Sequence, residues 1–142
     1  MTYDPKRIYQ HGCSFLTASF RADEMVPIPG SPGKFQAPLI VGIVLRAFAL
    51  ELYMKALLAI EGKKCKSHNL KVIFQSLSSD TQGLLKENFQ EKEFDTALDA
   101  ISNAFEEWRY FYESDENFIN NGFLVNLANQ AKKVCEKLIT ID

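Results

Sequence analysis

Apolar residues recur along this chain at intervals of three and four, the period that lays them on one face of an α-helix. Tyr9, Cys13, Leu16 and Phe20 begin the pattern and predict a first helix over about 6–24. The stretch VPIPGSPGKFQAP then gathers four of the five prolines and two glycines. It stops that helix and predicts a structured loop or flap over about 25–38. Pro38 opens a second helix at the first-turn position where proline is tolerated, and Gly62 ends it as a left-handed cap. Between them the chain is apolar nearly all round, the mark of a helix at the centre of a bundle. Gly42 and Arg46 form one narrow small or polar stripe on it, and Glu51 and Lys55, four apart on roughly the opposite side, are spaced to pair.

Shorter elements follow. SHNLKVIFQSL reads as a third helix capped by Ser67 or Asn69. SSDTQGLLKENFQ reads as a fourth, with Ser79 and Gln82 in capping-box spacing. A fifth helix, about 92–113, carries Phe94, Leu98, Ile101, Phe105, Trp108 and Tyr112 in an unbroken seam. SDENFINNG breaks the seam, and a last helix over about 122–140 resumes it with Leu124, Leu127, Ala131, Val134, Leu138 and Ile141. No run of β period competes. The pattern predicts an all-α fold, an antiparallel up-and-down bundle of about five to six helices, in one domain spanning 1–142.

Composition narrows the function classes. A net charge of -2 and a pI near 5.7 argue against coating nucleic acid through bulk charge, although Lys63, Lys64, Lys66 and Lys71 cluster around His68. Three cysteines without CxxC spacing fit free thiols in a reducing cytoplasm. The amino-terminal MTYDPKRIYQHG lacks an apolar signal-peptide core. APLIVGIVLRAFALELYMKALLAI resembles a membrane span, but Arg46, Glu51 and Lys55 sit inside it, each costly in hydrocarbon. No membrane association is therefore expected.

Catalytic signatures are sparse. Cys65 and His68 have a ligand-like interval, as do His11 and Cys13, but a structural zinc needs four ligands in related pairs, so no metal and no cofactor is expected. There is no GxSxG, HExxH, P-loop or GxGxxG. The stripe Ser102, Glu106, Arg109 and Glu113 offers two readings. Arg109 is either held by intrahelical carboxylates on a solvated face, or preorganised at a groove to take a phosphate or carboxylate. Tyr110 and Phe111 diverge by about 100° from their neighbours and so cannot both join the Trp108 seam. They are candidate interface residues.

FALELYMKALLAIEGKKCKSHNLKVIFQSL, residues 48–77, resembles the HEPN (higher eukaryotes and prokaryotes nucleotide-binding) family. The likeness lies in Glu51-Leu52-Tyr53-Met54-Lys55-Ala56-Leu57-Leu58, in Gly62, and in His68-Asn69-Leu70, with WRYFYE at 108–113 similar to a later helix. The resemblance covers roughly residues 38–113. It implies an up-and-down bundle, frequently a homodimer, in bacterial toxin–antitoxin or defence modules. A nucleotidyltransferase-type partner protein and RNA or nucleotide ligands come with it. Many such proteins are metal-independent RNases with an Arg-x(4–6)-His motif, the histidine acting as general acid or base. Here the positions after Arg109 hold Ser114, Asp115 and Glu116.

Three functions follow. The first is a non-catalytic HEPN-like domain acting through dimerisation and binding, with Glu51, Lys55, His68, Arg109 and Glu113 lining a polar groove. The second is a divergent RNase in which His68 or Tyr110 supplies the missing acid and the Lys63–Lys71 cluster holds RNA. The third is a purely structural scaffold.

Overall fold

The computed structural model describes residues 3–36, 39–102 and 121–139. Those residues form an all-α bundle of six helices: α1 (Pro5–Arg21), α2 (Leu39–Ile60), α3 (Leu70–Gln75), α4 (Ser79–Lys86), α5 (Glu91–Ile101) and α6 (Asn121–Leu138). Central α2 lies against α1 along one side and α6 along another, with α3 against it as well. Among the described residues, no helix is long and apolar enough to cross a membrane.

The apolar stripes bury as their spacing requires. Leu50, Tyr53, Met54 and Leu57 of α2 meet Leu124, Leu127, Ala131 and Val134 of α6 in one buried core. Phe94, Leu98 and Ile101 of α5 close it from another side. Phe94 joins Phe89 and Phe123 in an edge-to-face triad with centroids 5.4–5.6 Å apart, a geometry that places ring edges against ring faces. Phe20 is the exception on α1, at 41 % exposed. Leu138 likewise lies at the bundle's margin, and Ile141 falls outside the described residues.

Helix ends follow local chemistry, with two departures from the sequence expectation. Asp4 caps α1 by accepting from the Lys6 amide at 3.0 Å, and Pro5 occupies the first turn. The helix stops at Arg21, three residues early, because Asp23 is drawn into a tertiary contact described below. The proline-rich segment folds into a small antiparallel ribbon, β1 (Val26–Pro27) paired with β2 (Phe35–Gln36). No β-period signal announced it, since each strand is only two residues long.

Asn69 caps α3, accepting from the Val72 amide at 3.0 Å. α4 is capped by Ser78 in place of Ser79: its hydroxyl accepts from the Thr81 amide at 3.3 Å. Gln82 instead donates to the carbonyl of Leu77 at 2.8 Å. The Leu70 amide donates to Ser102 O at 2.8 Å and so ties the start of α3 to the end of α5. The predicted continuation of α5 to residue 113 lies outside the described residues.

Candidate functional site

α2 carries two buried charges five residues apart, and each draws in a different set of partners. Arg46 is fully buried. Its guanidinium forms a salt bridge with Asp23, donates to Ser19 O at 3.1 Å and donates to Asn121 Oδ1 at 3.1 Å. The Phe20 ring lies 5.1 Å from its Cζ, within cation–π range. Burial pushes the guanidinium pKa below its ordinary value. Gly42, one turn earlier, leaves room for the partner, since a Cβ there would stand 2.8 Å from Asp23 Oδ1. The Gly42–Arg46 stripe was legible in the sequence, but its partners on α1, the following turn and α6 were not.

The second charge is Glu51, 3 % exposed. Lys55 Nζ donates to Glu51 Oε2 at 2.9 Å, and His68 Nδ1 lies 2.9 Å from the same oxygen. Thus three of the predicted groove residues, Glu51, Lys55 and His68, do come together. Glu51 Oε1 is also buried and has no hydrogen-bond partner among the described residues. The other predicted site residues, Arg109 and Glu113, and the predicted interface residues Tyr110 and Phe111, lie outside the described residues.

The loop after α2 brings further lysines beside Lys55. Gly62 takes φ 72°, the left-handed conformation that glycine adopts without strain. The Lys63 amide donates to Leu58 O at 2.9 Å and the Gly62 amide to Ala59 O at 3.1 Å. This paired bonding is a Schellman motif, which ends the helix and fixes the direction of the departing chain.

That chain walls a cleft of about 320 Å3, within the ordinary range for small-molecule sites. Its floor is apolar, made by Ile8 of α1, Leu52 and Leu58 of α2, and Cys65, with Tyr3 at one side. Its rim holds Lys55, Lys63, Lys64 and Lys66. These four cations are not equivalent. Lys55 is held by Glu51, and the Lys63 ammonium is held by Glu61 at 3.2 Å and Ser76 O at 3.3 Å. Lys64 Nζ stands 5.0 Å from the Tyr3 ring centroid. Lys66 makes no ion pair among the described residues. Lys71, grouped with them by sequence, instead pairs with Asp99 of α5 at 3.1 Å. Being on α3, it follows that helix away from the rim.

Cys13, Cys65 and Cys135 are free thiols. Burial pushes the Cys135 thiol well above its ordinary range, so it packs as a small neutral side chain. Tyr3 and Ile8 were the part of the cleft that sequence reasoning missed. An aromatic and an aliphatic residue flanking a helix start resemble any core residues until the facing lysines are placed. No protein-family model, curated protein or solved structure matches this chain.

Proposed function

We propose that this protein is a non-catalytic, HEPN-like binding domain of the cytoplasm that takes up a nucleoside phosphate, either free or as part of a single-stranded RNA. The observation that carries this reading is the cleft between α1, α2 and the 62–69 loop, where lysines border an apolar floor beside a tyrosine. Such a site divides its ligand chemically. A planar base gains by leaving water against Tyr3, Ile8 and Leu52, while a phosphate meets Lys64 and Lys66 at the rim. Glu51 holds Lys55 at the edge of the same cleft, so the site's positive charge is partly balanced before a ligand arrives.

Binding is favoured over cleavage because Ser114, Asp115 and Glu116 stand after Arg109 where the resembling RNases carry histidine. The test is calorimetric titration with adenosine 5′-monophosphate at low salt. A Lys64→Gln, Lys66→Gln double variant is expected to weaken binding by about tenfold, and an end-labelled single-stranded RNA is expected to stay intact with the purified protein. Binding that ignores the double substitution overturns the assignment of the cleft. RNA cleavage lost in His68→Ala overturns the non-catalytic reading.

A further inference from the structure

The cleft does not end at Tyr3. Tyr3, Ile8 and Leu52 also line a neighbouring hollow of about 370 Å3, completed by Asp4, Arg7 and His11. Arg7 and His11 are four apart on α1, so they share a face about 6 Å apart along the axis. Both are exposed. Arg7, like Lys66 across the groove, makes no ion pair among the described residues. Asp4 is the acid of this hollow, and its Oδ1 already accepts from the Lys6 amide as the cap of α1. The two hollows therefore form one groove with an apolar, tyrosine-bearing middle and basic residues at both ends.

A ligand with one phosphate satisfies only one end of such a groove. We propose that the groove is bipartite and that it selects a nucleoside 3′,5′-bisphosphate, free or as an internal unit of a nucleic-acid single strand. The base lies over Tyr3, Ile8 and Leu52, one phosphate meets Lys64 and Lys66, and the other meets Arg7 and His11. The 3′ and 5′ oxygens leave the ribose in different directions, so two phosphates can diverge from one seated base. The inference rests on the nucleoside-phosphate reading of the lysine cleft and adds the second subsite to it.

The experiment compares three probes on the full chain at low salt: adenosine 5′-monophosphate, adenosine 3′,5′-bisphosphate and tetraadenylate. Affinity is measured for the unaltered protein, Arg7→Gln and Lys66→Gln. Arg7 and Lys66 are both exposed, so neither substitution disturbs the core. The bisphosphate is expected to bind about tenfold more tightly than the monophosphate. Arg7→Gln should abolish that advantage and leave monophosphate affinity unchanged, whereas Lys66→Gln should weaken both. An advantage confined to the free bisphosphate identifies a small-molecule ligand, and one shared by tetraadenylate identifies a strand. Equal affinity for mono- and bisphosphate, or an advantage that survives Arg7→Gln, overturns the second subsite while leaving the lysine cleft standing. If none of the three probes binds, both readings fall.

Discussion

Arg46 and Glu51 lie five residues apart on the same helix, and both are charges taken out of water, yet the fold treats them differently. Arg46 is answered by a carboxylate, a main-chain carbonyl and a side-chain amide from parts of the chain far apart in sequence. Glu51 is answered by two basic side chains, Lys55 and His68, and His68 is 53 % exposed. The first arrangement joins elements. The second stations bases at a surface, beside the cleft that Lys55 helps to line. Ionic pairing of a buried charge is thus no sign of function by itself, and where its partners lead is the informative part.

Removing Asp23 attacks the joining side of this contrast. Asp23→Ala leaves the Arg46 guanidinium buried with only Ser19 O and Asn121, and it is expected to cost about 3 kcal/mol in urea denaturation. A loss below about 1 kcal/mol would put the arginine in the class of weak surface pairs and erase the contrast.

Glu61 sharpens the same side, because it joins the end of α2 to the start of α4, although it also holds Lys63 at the rim. Its carboxylate accepts from the Ser78 amide at 2.9 Å, the Ser78 hydroxyl at 2.8 Å and the Thr81 hydroxyl at 2.7 Å. Burial alone pushes its pKa up, but the hydrogen bonds from Thr81 and Ser78, aided by Lys63, outweigh it and leave the pKa below the ordinary 4.5. A carboxyl depressed in the folded state binds its proton more readily when unfolded. Its stabilisation is therefore complete above pH 4.5 and lost as pH falls through the lower folded value. Glu61→Gln should cost about 1–2 kcal/mol at neutral pH and flatten that acid limb in a series of melts. An unchanged acid limb would show that Glu61 is not the group responsible.

The smallest stability effect is expected on the surface-directed side. Glu51→Gln removes a buried charge whose partners can turn to water, so the cost should stay under about 1 kcal/mol. The same change releases Lys55 at the rim, and affinity for adenosine 5′-monophosphate should rise about two- to threefold. A large loss of stability with no gain in affinity would make Glu51 a second joining charge.

The sequence disclosed what depends on neighbours within a turn or two. The apolar seams, the Asn69 cap, the left-handed Gly62 and the Glu51–Lys55 pair are all set by spacings of four or less, or by one residue's own backbone preference. Where partners are remote, spacing was silent, and the grouping of His68 with Glu51 and Lys55 rested on the family resemblance alone. His68 reaches Glu51 across 17 residues only because the Gly62 turn sends the chain back along α2. The cap of α4 moved from Ser79 to Ser78 because Glu61 holds Ser78 by both its amide and its hydroxyl, a choice between adjacent serines that local pattern cannot make. The lysine cluster was visible as composition, but its division into rim and α3 members needed the fold. Tyr3, Ile8 and Arg7 joined the groove from the amino-terminal turn, which periodicity had assigned only to a helix start.

The Arg46 contact also bears on the order of assembly. Its anchors, Asp23 and Asn121, precede it by 23 residues and follow it by 75. Its full set of partners therefore exists only when α1, α2 and α6 are together. Bringing together partners so far apart in sequence costs more chain entropy than pairing neighbouring helices. The residue thereby couples distant parts of the bundle, because one buried charge has all its hydrogen bonds only in the finished fold.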